Sequence, residues 1–112
     1  MTPLKRLKDK VTRQAMTEKL IKTPYCEGCN QKAITAHHII RQKNSNYLRD
    51  KLENMISTCL SCHLLAHTRG DVVAFGQVFI KRGKKWHKKL IEDSRIIIKD
   101  NLLYWKEKIK QL

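Results

Sequence analysis

Residues 59–67 read CLSCHLLAH and place two cysteines and two histidines within nine positions. A second cysteine pair, Cys26 and Cys29, stands upstream in CEGC, and the adjacent His37 and His38 lie between the two. A tight turn at each CxxC aims both sulfurs at one point, with Gly28 suited to the turn in the first. Two such knuckles supply the four soft ligands of a closed tetrahedral zinc site. Zinc binding there releases roughly 10–16 kcal/mol at neutral pH, enough to decide whether so short a chain folds. Residues 30–58 separate the pairs, so the staple must enclose a small folded excursion.

Disulfides are the competing use of four cysteines. The first residues are charged and lack the apolar run of a signal peptide, which sets the expectation of a cytoplasmic, reducing setting and favours metal over disulfides. No stretch approaches the ~18 apolar residues of a membrane span, so no membrane partner is expected. The chain has 112 residues with 24 Lys and Arg against 10 Asp and Glu, a net charge of +14. Such an excess repels itself in a compact fold and points to a polyanionic partner, for which nucleic acid is the expectation.

Periodicity places these residues on elements. Over residues 2–22, Thr2-Pro3 starts a helix, and Leu4, Leu7, Val11 and Ala15 recur at helical spacing, with Met16 and Leu20 continuing the stripe. Its basic side is either a solvated face or an arm along nucleic acid. Thr23-Pro24 stops it. Residues 33–40, AITAHHII, read as a strand, residues 41–53 as a loop with a helical turn over 47–52, and residues 54–58 as a second strand. Helix then runs from Cys62 to Thr68 and ends at Arg69-Gly70. Residues 71–112 read as a helical extension: Asp71 caps a helix that stops at Gly83, a second covers 84–93, and residues 95–98 are extended. Asp100 caps a last helix carrying Leu102, Trp105, Ile109 and Leu112. The chain is expected to be one undivided α+β domain over 1–112, with residues 26–67 as its core.

The histidines are more numerous than a staple needs. His63 and His67 are i, i+4 and share one helix face. A mixed finger using Cys26, Cys29, His63 and His67 is one alternative, but it leaves Cys59 and Cys62 orphaned, and residues 30–62 exceed the dozen or so such a finger spans. Two sites fit better, with the cysteines on zinc and the histidines on a second ion. Cys62 and His63 then diverge by about 100° at the helix start. Alternation along the strand likewise turns His37 and His38 apart, so that one can ligate while the other stays free as a base.

AHHII, then Asn54, then CLSCHLLAH resembles the HNH endonucleases, the ββα-metal nucleases, in their cysteine-flanked form. Asn54 follows His38 by sixteen positions and His63 follows Asn54 by nine. The resemblance covers residues 26–67 and implies a ββα-metal core stapled by a four-cysteine zinc site. It implies that His38 is the general base that activates water against a phosphodiester, and that Asn54 fixes the loop and orients that base. It implies further that His37, His63 and His67 hold one catalytic divalent ion, and that Cys26, Cys29, Cys59 and Cys62 hold structural zinc. Many members carry Asp or Glu where His37 stands. A third imidazole makes the site softer, so the working metal is left among Mg²⁺, Mn²⁺, Ni²⁺ and Zn²⁺. YLRD before Asn54 and the helical tail are more faintly similar to phage recombination nucleases of the NinG (Rap) type, from which this chain departs in its histidine pair.

The implied activity is metal-dependent hydrolysis of DNA to 5′-phosphate and 3′-hydroxyl ends. Arg41, Lys43, Arg49 and Lys51 on the inter-strand loop are candidate phosphate contacts, as are Arg69, Arg82, Lys84, Lys85 and Lys88 farther on; Lys81, His87 and Lys89 extend that set. The alternative is a zinc-stabilised nucleic-acid-binding module without catalysis, for which four surplus histidines have no use.

Overall fold

The computed structural model describes residues 1–111. Among them are four α-helices and one two-stranded antiparallel sheet: α1 (Pro3–Lys22), β1 (Thr35–His38), β2 (Met55–Thr58), α2 (Leu60–Arg69), α3 (Asp71–Asp93) and α4 (Leu102–Gln111). Leu112, the last residue of the expected apolar stripe, lies outside the described residues. The order strand, loop, strand, helix across residues 35–69 is the expected one.

The sheet is small, and its two faces are covered differently. Register pairs Ala36 with Ser57, His37 with Ile56, and His38 with Met55. Paired residues share a face, so side chains alternate between the two sides. Ala36 and Met55 pack with Ala15 of α1 and the neighbouring Met16 and Leu52. Ile56, on the opposite face, packs with Ala66 of α2 and with Phe75 and Val78 of α3. His37 therefore faces α2 and α3, and His38 faces the α1 side.

Helix α1 starts as its sequence dictates: the Thr2 hydroxyl accepts from the Lys5 backbone N–H at 3.1 Å, and Pro3 opens the helix. Val11, Thr12, Ala15 and Lys19 are buried, so much of one face of α1 is core. Lys19 is buried because its ammonium lies 3.2 Å from Glu27 in the first knuckle. Glu27 also pairs with Arg82 of α3 at 2.9 Å and accepts the Ser57 backbone N–H at 2.7 Å. One carboxylate thus ties the knuckle to α1, β2 and α3.

The C-terminal half follows the expected outline with two changes. Helical turns run from Asp71 to Asp93, with breaks at Phe75 (φ −129°, ψ 28°) and Gly83 (φ 87°, ψ 170°). Gly83 divides them as expected, because its φ lies where a side chain is strained. The cap of α4 is Asn101, whose Oδ1 accepts the Tyr104 backbone N–H at 3.0 Å, and not Asp100. Asp100 instead accepts the Trp105 indole N–H at 2.8 Å and pairs with Lys8 of α1 at 2.9 Å. Both contacts dock α4 on α1, with the Trp105 side chain fully buried.

Candidate metal centres and active site

The two knuckles meet as the cysteine spacing requires. The sulfurs of Cys26, Cys29, Cys59 and Cys62 all lie within 4.8 Å of one another. Cys26 and Cys59 are buried, and Cys29 and Cys59 approach to 3.5 Å as free thiols. The Gly28 N–H donates to the Cys26 sulfur at 3.4 Å, and the Cys62 N–H to the Cys59 sulfur at 3.5 Å. Space is tight at Gly28: a Cβ there would stand 3.1 Å from both the Ala74 carbonyl and the Cys62 sulfur, so a side chain would need those neighbours to give way.

This donor set fits a cation. Burial opposes ionisation of Cys26, yet the backbone N–H groups of Cys59, Cys29 and Gly28 outweigh it and lower the thiol to about 6. Cys62 is pushed up by burial and by the three neighbouring sulfurs. Four sulfurs this close do not all ionise without a positive charge among them, and Zn²⁺ is the borderline-soft ion that four thiolates suit.

The histidines form a separate group. One ligand nitrogen from each of His37, His63 and His67 lies within 4.8 Å of the others. The Nε2 atoms of His63 and His67 are 3.0 Å apart, as the i, i+4 spacing on α2 predicts. Cys62 joins the sulfur cluster and His63 the imidazole cluster, so a mixed finger of two cysteines and two histidines is not formed. Burial, then the nearby His67 and His37, lowers His63 below the usual imidazole value. Three imidazole nitrogens facing one point suit a borderline divalent ion.

His38 stands apart from that trio. It is buried, and its Nε2 lies 2.9 Å from the Arg49 carbonyl. A carbonyl only accepts, so Nε2 carries the proton and Nδ1 keeps the lone pair of the neutral ring. Burial, more than the Arg49 contact offsets, pushes His38 below the ordinary imidazole range. Asn54 is fully buried and holds the loop that carries Arg49. Its Oδ1 accepts the Ile40 N–H at 2.8 Å, and its Nδ2 donates to the carbonyls of Ile40 at 3.0 Å and Leu48 at 3.3 Å. His37, His38, His63 and His67 line one cleft of about 470 Å³, together with Arg41 and Lys43.

The expected phosphate contacts divide. Arg41, Lys43, Arg69, Lys84, Lys85 and Lys88 lie at the surface, where a phosphate can reach them. Lys51 is half-buried, with its ammonium 4.8 Å from the centre of the Tyr47 ring. Arg49 and Arg82 require correction, because both are spent inside the protein. Arg49 is 7% exposed and donates to Asp9 at 3.1 Å and to the Thr12 hydroxyl at 3.2 Å. Arg82 donates to Glu27 at 2.9 Å and to the Met55 carbonyl at 3.0 Å, and lies over the Trp86 ring. Arg49→Ala is accordingly expected to cost about 2 kcal/mol of stability through lost charge-assisted hydrogen bonds. Urea denaturation checks this; an unchanged midpoint with weakened DNA binding would return Arg49 to the phosphate contacts.

Asp71 is a further residue whose use the sequence did not reveal. It reads as a helix cap, but it makes no capping bond. Its Oδ1 lies 2.8 Å from His37 Nε2. The two residues are 34 positions apart, and no local pattern links them.

Residues 25–69 match the family model of the HNH endonuclease. No curated protein matches the chain, and no solved structure does.

Proposed function

We propose, from the HNH endonuclease domain carried by residues 25–69, that this protein is a metal-dependent DNA endonuclease using His38 as its general base. The observation that carries this is the pairing of functions in one cleft. His38, whose Nδ1 keeps its lone pair, lines the same cleft as three convergent imidazoles and the surface side chains of Arg41 and Lys43.

In this mechanism His37, His63 and His67 hold the divalent ion. When bound, the ion supplies charge stabilisation at the phosphate and at the departing oxygen. Arg41 and Lys43 offset phosphate charge and seat the backbone in the cleft. His38 Nδ1 takes a proton from water while the water oxygen attacks phosphorus, and the bond from phosphorus to the 3′ oxygen breaks. Solvent water gives that oxygen a proton, which leaves 3′-hydroxyl and 5′-phosphate ends. The Arg49 carbonyl holds the tautomer this requires, and Asn54 holds the loop that presents the carbonyl. Cys26, Cys29, Cys59 and Cys62 hold zinc and fix where α2 begins, and so where His63 and His67 point. The all-imidazole trio favours Zn²⁺, Ni²⁺ or Mn²⁺ over Mg²⁺.

The test is incubation of the zinc-loaded protein with supercoiled plasmid and with branched DNA, across Mg²⁺, Mn²⁺, Ni²⁺ and Zn²⁺, followed by analysis of the new ends. The expected result is metal-dependent nicking that EDTA stops and that leaves ligatable 5′-phosphates. DNA binding without cleavage under all four metals would make the protein a zinc-stabilised binding module instead.

A further inference from the structure

Asp71 has no place in the mechanism above, yet it contacts one of the three clustered histidines. Its setting is built by the turn between two helices. Gly70, at φ 96° and ψ 162°, ends α2 and turns the chain into α3, so Asp71 is the first residue of α3 and follows His67 by four positions. A carboxylate at this end of a helix is favoured by the partial positive charge of its free N–H groups. That explains why an acid is tolerated there, but not where its oxygen points.

The oxygen points at His37. Oδ1 lies 2.8 Å from Nε2, with the His37 side chain 11% exposed and that of Asp71 28% exposed. Among the described residues, Asp71 forms no ion pair with a lysine or arginine, in a chain of net charge +14. The His37 ring is also packed, its centre 5.5 Å from that of Phe75. An ionised carboxylate only accepts, so Nε2 must donate. With Nε2 turned to the carboxylate, Nδ1 is the nitrogen of His37 left to face a metal ion. Asp71 itself stands outside the cluster of ligand atoms formed by His37, His63 and His67.

We propose that Asp71 is a positioning residue for the histidine site: its carboxylate holds His37 as the Nε2–H tautomer, leaving Nδ1 to serve as the ligand atom. This rests on the reading that the three histidines hold a divalent ion. The carboxylate acts in three ways. It fixes the tautomer, restrains ring rotation and makes the ring more electron-rich, so Nδ1 becomes a stronger ligand. It also places a negative charge one ring away from a site whose own ligands are neutral. Removing such a carboxylate typically costs about 10–100-fold in metal affinity.

The experiment uses the full zinc-loaded chain and Ni²⁺ or Co²⁺ as the probe for the second site. Titration calorimetry compares wild type with Asp71→Ala, Asp71→Asn and His63→Ala, with thermal melts to verify that each is folded. Asp71→Ala is expected to weaken the second site by about 10–100-fold, and Asp71→Asn by less, because an amide oxygen still accepts from Nε2. Zinc content should stay the same. Imidazole ¹⁵N correlation spectra of the protein without Ni²⁺ or Co²⁺ should show His37 as the Nε2–H tautomer in wild type. That preference should be lost in Asp71→Ala and kept in Asp71→Asn.

Unchanged affinity in Asp71→Ala, or an Nδ1–H tautomer in wild type, would overturn the role of Asp71. So would a Co²⁺ spectrum showing one ligand fewer in Asp71→Asn, which would make Asp71 a ligand itself. Equal ion binding by wild type and His63→Ala would instead remove the three-histidine site on which the proposal stands.

Discussion

Cys59→Ser is expected to abolish zinc retention and, with it, the cooperative fold. Cys59 is buried, its sulfur caps α2 through the Cys62 N–H, and its carbonyl accepts the His63 N–H at 3.0 Å. The same residue therefore closes the sulfur cluster and starts the helix that carries His63 and His67. A serine hydroxyl preserves the helix cap but not the thiolate. Zinc binding of roughly 10–16 kcal/mol is as large as the whole stability of an ordinary domain, about 5–15 kcal/mol. Metal analysis and a thermal melt by circular dichroism check this. The expected results are substoichiometric zinc and no cooperative transition, and prolonged chelation of the wild type should reproduce both. A zinc-free variant with a sharp, unshifted transition would show that the cysteines serve something other than a staple.

His38→Ala is expected to reduce DNA nicking by about 10²–10⁴-fold while both metal sites stay filled, the range that a positioned base contributes. His38 faces the α1 side of the sheet, opposite His37, and takes no part in the imidazole cluster. Its removal leaves the Arg49 carbonyl without a partner in a buried setting, so a stability loss of about 1–3 kcal/mol accompanies the effect. Single-turnover nicking, measured below the melting transition with bound metal quantified, separates the two. A folded, metal-filled His38→Ala protein with undiminished nicking would move the base to another group.

Much of this was legible in the chain because it is short-range. Each CxxC pair meets through a single turn. His63 and His67 meet because four positions make about one helical turn, and His37 and His38 part because strands alternate. Gly70 and Gly83 mark breaks that only a residue without a Cβ adopts freely. The match of residues 25–69 to the HNH endonuclease family model falls on the same stretch.

What was not legible depends on partners far along the chain. Arg49 stands in a polar, basic loop and looks free, but Asp9 of α1, 40 positions away, takes its charge. Arg82 opens the densest basic run, yet Glu27, 55 positions away, draws it inward. The apolar stripe of α1 was legible, but only the fold shows that it covers the sheet face carrying Ala36 and Met55. Asp100 looks like a cap until Trp105 and Lys8 are both in reach.

The sequence by itself determined the two sets of ligand-bearing side chains, the order of elements that carry them, and the positive charge. The tertiary structure alone decided which cations stay at the surface, which histidine meets a carboxylate, and which nitrogen of His38 keeps its lone pair. The reason is physical: ligand spacing is set by local backbone geometry, whereas the use of a charged or titratable group is set by what long-range packing brings within about 3 Å of it.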